Sequence, residues 1–201
     1  MEKLAAKIGA FLVKNNAAKA EDQEVLSFGL FLLLADAQQL VILMLLALLF
    51  DVIPAMTAYI LFYTLLRRYA GGAHANTHRM CLFVFTLLAS AVSILGSRYL
   101  SFMPRIIPVA LSCVTAGTIF LKAPAAHPNN PKRPKTLARY RRISRAMALA
   151  ELAVILTGSL LLSAKWDIPI LCAALGGLIA SLTLLPPISK KEVSRDEEDH
   201  G

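Results

Sequence analysis

The feature that most constrains this chain is the stretch 28–66, which is apolar apart from Asp36, Gln38, Gln39 and Asp51. At 1.5 Å per residue it would make ~58 Å of helix, about twice the ~30 Å hydrocarbon thickness of a bilayer. Asp51 and Pro54 stand near its middle, where a turn is needed, so it reads as two spans, 28–50 and 52–66. The rhythm continues with apolar segments at 81–96, 106–121, 146–164 and 168–188. Between them lie a Gly- and His-bearing segment from Arg67 to Arg79, a break at 97–105, a basic Pro-rich loop over 122–142, and Lys165-Trp166-Asp167. Only 17% of the residues are charged, against about a quarter in a soluble domain. The pattern predicts an all-α, polytopic helical membrane protein with about six transmembrane helices. A four-span variant, with the remaining helices interfacial or re-entrant, fits the same pattern.

Three regions follow. Residues 1–27 form an amphipathic N-terminal segment, with Leu4, Ile8, Phe11 and Leu12 on one helical face and Lys3, Lys7 and Lys14 on another. Such a helix either lies in the membrane surface or packs on the rest of the protein. Residues 1–20 lack the continuous apolar core of a signal peptide. Residues 28–188 form the transmembrane domain, and 189–201 a charged tail expected to be disordered.

The net charge of +8 raises the question of nucleic acid. No basic stripe interleaves with aromatics, so the charge reads as membrane topology, and no nucleic-acid partner is expected. With six spans, 18 of the 21 Lys and Arg fall on the side of the two termini, and only Arg98, Arg105 and Lys165 on the other. Positive charge marks the cytoplasmic side, which places both termini and the 67–80 segment there.

Three widely spaced cysteines without a CxxC argue against a disulfide framework or a structural zinc site. Cys113 and Cys172 lie inside apolar runs, whereas Cys81 borders a polar segment. The stretch Arg67-Arg68-Tyr69-Ala70-Gly71-Gly72-Ala73-His74-Ala75-Asn76-Thr77-His78-Arg79-Met80-Cys81 therefore collects the chemistry. Cysteine attack on a peptide bond needs a thiolate and a base within ~3 Å of the thiol. In one continuous helix His74 and Cys81 would be ~10.5 Å apart along the axis, so this pair requires a fold-back. Gly71-Gly72 permits one. Asn76 or Thr77 could cap the next helix and place Cys81 near its first turn, a setting that favours thiolates. His78, three residues before Cys81 on the same face, is the rival base and needs no fold-back; geometry alone slightly prefers it. His74, His78 and Cys81 could also supply three zinc ligands, but Ala75 stands where an HExxH helix needs glutamate. No metal or other cofactor is expected. A role for these residues as mere interfacial side chains satisfies the composition equally well.

The segment from Arg67 to Ala75, with Cys81 seven residues after His74, resembles the accessory gene regulator B (AgrB) family of quorum-sensing membrane peptidases. The loop Ala123-Pro124…Asn129-Asn130-Pro131-Lys132-Arg133-Pro134 is similar to that family's cytoplasmic loop, and length and layout agree over nearly the whole chain. The resemblance implies a cysteine endopeptidase acting on a small AgrD-type precursor peptide, with His74 as base and Cys81 as nucleophile. It also implies an acyl-enzyme resolved into a thiolactone or lactone ring, and it suggests a homodimer. Gly71, Gly72 and His78 would support the loop, and Arg67 and Arg68 could bind an acidic part of the precursor or simply anchor the chain at the lipid surface. Asp36 and Glu151 are the candidate orienting acids. A competing class is a small transporter or channel, with Asp36, Gln38, Gln39, Asp51 and Glu151 along a polar path. It lacks the matched, interrupted spans of the inverted-repeat transporters.

Overall fold

The computed structural model describes residues 2–15, 19–72, 77–100, 102–125 and 134–185. These hold seven α-helices: α1 (Glu2–Lys14), α2 (Gln23–Leu49), α3 (Ile53–Ala70), α4 (His78–Tyr99), α5 (Ile106–Lys122), α6 (Pro134–Leu161) and α7 (Asp167–Leu182). The fold is all-α, as the apolar rhythm predicts, and α2 to α7 stand where six spans were expected. Of these, α2, α4, α6 and the last helix with its preceding turn are long and apolar enough to cross a bilayer. The shorter α5 is apolar over 17 residues, and α3 has 18. Large apolar side chains lie on the outer faces: Leu33 and Leu48 of α2, Phe83 and Leu87 of α4, Val154 and Leu160 of α6. Water would penalise such a surface, whereas lipid accepts it. This is a multi-pass membrane protein.

The chain divides into two compact units, Met1–Leu49 and Phe50–Gly201. In the first, α1 packs on α2. Ala5 and Gly9, one turn apart, form its buried strip, and a Cβ at Gly9 would run into Ser27. Leu4 and Phe11 stay exposed. The helix thus packs on α2 through a small-residue strip, with Leu4 and Phe11 outside that contact.

In the second unit α7 is central and touches α3, α4, α5 and α6. Its buried surface is made of small residues, among them Ala173, Ala174, Gly176, Gly177, Ala180 and Ser181. Helices in lipid gain no hydrophobic energy from meeting each other, so close packing has to hold them. Gly176 is the closest approach: a Cβ there would lie 2.6 Å from the Tyr59 carbonyl oxygen on α3. At one end of this unit Arg105 bridges Asp167 at 2.9 Å and donates to the Ser159 carbonyl at 3.2 Å, tying α5, α6 and α7 together.

Two helices run further than the apolar segments suggest. Arg67, Arg68, Tyr69 and Ala70 form the last turn of α3 rather than a loop. The end of a helix favours cations because its free carbonyls carry partial negative charge. Likewise the basic stretch 134–145, read above as largely loop, forms the first turns of α6. Pro134 opens that helix, where its missing N–H costs nothing, and the Lys, Leu, Ala and Arg that follow are good helix formers. The charged tail expected over 189–201 lies outside the described residues.

Candidate active site

The C-terminus of α3 ends on glycines for a physical reason. Gly71 has φ 76° and Gly72 φ 126°, conformations that side chains rarely allow. Gly71 N–H closes the helix on the Arg67 carbonyl at 3.1 Å. The turn is held on two sides. On one side Ala125 N–H donates to the Ala70 carbonyl at 3.0 Å, and a Cβ on Gly71 would lie 3.2 Å from the Ala125 carbonyl oxygen. On the other side the Arg67 guanidinium donates to the Gly71 carbonyl at 3.4 Å and to the Thr183 hydroxyl. Gly72 sits directly against Thr183 and Arg67. The structure therefore joins the Gly-His segment to the start of the Pro-bearing loop, two motifs more than 50 residues apart in sequence.

The start of α4 agrees with the sequence reading. Thr77 is the N-cap, its hydroxyl accepting from Met80 N–H at 3.2 Å, and Cys81 N–H donates to the Thr77 carbonyl at 3.1 Å. Cys81 is half-buried, Cys113 exposed and Cys172 buried. His74 lies outside the described residues. His78 is the first residue of α4, and its side chain is likewise outside the described part.

Helix register fixes what surrounds Cys81. Along the α3–α4 pair, Ser93 Oγ meets Met56 Sδ at 3.6 Å, and the rings of Phe85 and Tyr63 lie 4.7 Å apart. One turn further along this antiparallel pair, Arg67 falls opposite Cys81. On the α4–α7 pair, the Cys172 thiol meets the Val92 carbonyl at 3.9 Å. Eleven residues along each helix, in opposite directions, lead to Thr183 and Cys81. The α3–α7 pair closes the triangle, because Tyr59 faces Gly176 and Arg67 faces Thr183. Arg67, Cys81 and Thr183 therefore share one level of the bundle. Tyr63 stands a turn deeper, within electrostatic reach of both Arg67 and Cys81. It stacks on Tyr59 at 5.9 Å and packs against Phe85, which makes an aromatic floor beneath the level of the thiol.

Arg68 turns elsewhere, its guanidinium 5.9 Å from the centre of the Tyr69 ring. Tyr69 in turn meets Tyr140 of α6 at 6.0 Å. These tyrosines, with Thr136, Arg139 and Ile143, line an open groove of about 430 Å³. The sequence from Val52 to Ala150 contains no Asp or Glu, so no acid of this stretch offsets the basic residues of α3 and α6 at this end.

Glu151 is 2% exposed, and neither carboxylate oxygen has a hydrogen-bond partner. It faces Gly177 of α7, six residues before Thr183. That places it about 9 Å below the level of Cys81, too deep to hydrogen-bond a base beside the thiol. Asp36 belongs to the Met1–Leu49 unit. Among the described residues no group of three His, Cys, Asp or Glu could hold a metal ion. The set His74, His78 and Cys81 falls partly outside them.

Thr183, Tyr63 and Ala125 were not singled out from sequence. Tyr63 and Thr183 are unremarkable residues near the ends of apolar runs, brought to the site by helix register, and Ala125 is an unremarkable residue of the Pro-bearing loop.

Neither the curated proteins nor the solved structures yield a match to this chain. The family model for Accessory gene regulator B (AgrB) matches residues 5–184. That span covers α1 to α7 almost completely, including both motifs that meet at Gly71. The chain belongs to the AgrB family, whose role is in peptide quorum sensing.

Proposed function

We propose that this protein is a membrane cysteine endopeptidase that processes an AgrD-type precursor peptide. The feature that carries the reading is the position of Cys81. It lies in the first turn of α4, and helix register sets it level with Arg67 and Thr183, at the end of the bundle where the Gly71–Gly72 turn leads into the His74 segment.

In this mechanism His74 takes the thiol proton of Cys81, and the sulfur bonds to the carbonyl carbon of the scissile peptide. The tetrahedral intermediate collapses as His74 returns the proton to the departing amine, leaving a thioester on Cys81. A cysteine thiol or serine hydroxyl within the precursor then attacks that thioester, frees Cys81 and closes a thiolactone or lactone. The acyl-enzyme preserves the energy of the cleaved bond for ring closure, so water has to be kept from it. The half-buried thiol above the Tyr63–Phe85 layer suits that need.

Arg68 and the basic start of α6 are the surface on which an acidic part of the precursor would settle, whereas Arg67 is turned inward to Gly71 and Thr183. The excess of Lys and Arg in the segments at this end supports a cytoplasmic orientation for the site and both termini. Of the three regions, 28–188 would form the peptidase domain. Pairing into a homodimer is part of the same reading, and cross-linking in native membranes tests it.

The direct experiment is co-expression with a precursor, comparing wild type with His74→Ala, His78→Ala and Cys81→Ala by mass spectrometry. Cleavage is expected to vanish without Cys81 or His74 and to survive without His78. Cleavage that persists in Cys81→Ala would rule the mechanism out. Loss in His78→Ala with retention in His74→Ala would transfer the base role to His78.

A further inference from the structure

The contact between Arg67 and Thr183 is not needed by the chemistry above, yet it lies at the level of the thiol. Thr183 follows the last residue of α7, more than 100 positions away from Cys81. Its hydroxyl donates to the Ala180 carbonyl at 2.7 Å and accepts from the Arg67 guanidinium. It thus has both of its hydrogen-bonding roles filled, one within α7 and one across to α3. The same guanidinium reaches the Gly71 carbonyl, and Gly72 leans on both side chains with no room for a Cβ. Beyond Gly72 only Ala73 separates this anchor from His74.

We propose that Thr183 is a positioning residue for the cysteine-peptidase reaction: its hydroxyl fixes the Arg67 guanidinium, and this pair fixes the Gly71–Gly72 turn from which the His74 segment departs. The inference rests on the peptidase reading. A base two residues beyond an anchored turn can be delivered to a thiol reproducibly, whereas the same base on an unanchored turn samples many positions. Misplacement by about 1 Å can cost on the order of a hundredfold in rate, so the anchor acts on turnover rather than on substrate binding. A packing role and a hydrogen-bonding role make opposite demands at this position. Valine preserves the shape of threonine and removes the hydroxyl, and serine does the reverse.

The test compares wild type, Thr183→Val and Thr183→Ser, purified as full chains in detergent with a synthetic precursor. Thr183→Val is expected to lower kcat by at least about tenfold with KM within about twofold, and Thr183→Ser to stay near wild type. The pH profile of Cys81 alkylation by iodoacetamide, mapped by mass spectrometry, gives a second reading without substrate. Thr183→Val should shift that profile toward the one given by His74→Ala, and Thr183→Ser should leave it in place. A Thr183→Val protein that matches wild type in both kcat and alkylation profile overturns the proposal, as does a defect in Thr183→Ser equal to that in Thr183→Val. Processing that survives Cys81→Ala would instead sink the peptidase reading beneath it.

Discussion

Gly72 carries two separate constraints. Its φ of 126° is a conformation side chains rarely adopt, and a Cβ there would also stand 2.9 Å from the Thr183 carbonyl oxygen. Backbone strain of this kind costs on the order of 1–3 kcal/mol, and overpacking adds a similar amount. Gly72→Ala is therefore expected to lower the detergent melting temperature and to abolish precursor cleavage, while membrane insertion persists. Gly71→Ala meets a looser neighbour, the Ala125 carbonyl oxygen at 3.2 Å, and should retain more activity in the same assay. The glycine pair was legible in sequence as a turn. Two of its neighbours were not, because Ala125 follows α5 and Thr183 follows α7, both far off in sequence. The cysteines differ in a way the sequence did suggest. Cys113 is exposed on the apolar helix α5 and Cys172 is buried, so a charged maleimide given access to both faces of the membrane should label Cys81 first.

Helices carry the next layer. The N-cap hydroxyl of Thr77 organises the first turn of α4, and its removal typically costs about 1 kcal/mol. Thr77→Ala should give a modest loss of thermal stability and a larger loss of cleavage, because Cys81 lies in that turn. The α3–α7 seam is less forgiving. A Cβ on Gly176 would meet the Tyr59 backbone at 2.6 Å, and backbone cannot swing aside as a side chain can. Gly176→Ala is expected to destabilise by about 1–3 kcal/mol, read from thermal unfolding in detergent. At this scale the apolar rhythm located all the long helices but misplaced their ends. Hydropathy marks where lipid stops, whereas α3 continues through Arg67 to Ala70 and α6 begins at Pro134. Those extra turns are polar because they leave the hydrocarbon, and they remain helical because nothing in them interrupts the backbone hydrogen bonds. The placement of Cys81 near a helix start was readable from the capping residues Asn76 and Thr77, of which Thr77 is the N-cap. The position of His74, which lies outside the described residues, still rests on the family resemblance.

For the molecule as a whole, charge distribution is the property with the longest reach. No Asp or Glu occurs between Val52 and Ala150, while Arg68, Arg139 and Arg142 lie at the end that bears Cys81. A surface of one sign raises the local concentration of an oppositely charged partner, and salt weakens it over a Debye length of about 8 Å at physiological ionic strength. Arg139→Glu and Arg142→Glu should therefore raise KM for a precursor with an acidic segment while leaving kcat nearly unchanged. Added salt should produce the same pattern in wild type. If neither change alters KM, these residues act only as anchors at the lipid surface.

The backbone contact at Gly176 has one more consequence. With Tyr59 pressed on that glycine and Arg67 joined to Thr183, α3 and α7 are fixed to each other at two points along their length. The α3–α4 seam is built differently, from the wide rings of Tyr63 and Phe85, which can slide or turn without breaking a backbone contact. Of the two seams, only the α3–α4 one can adjust by ring rotation, whereas the α3–α7 one can give only by moving backbone.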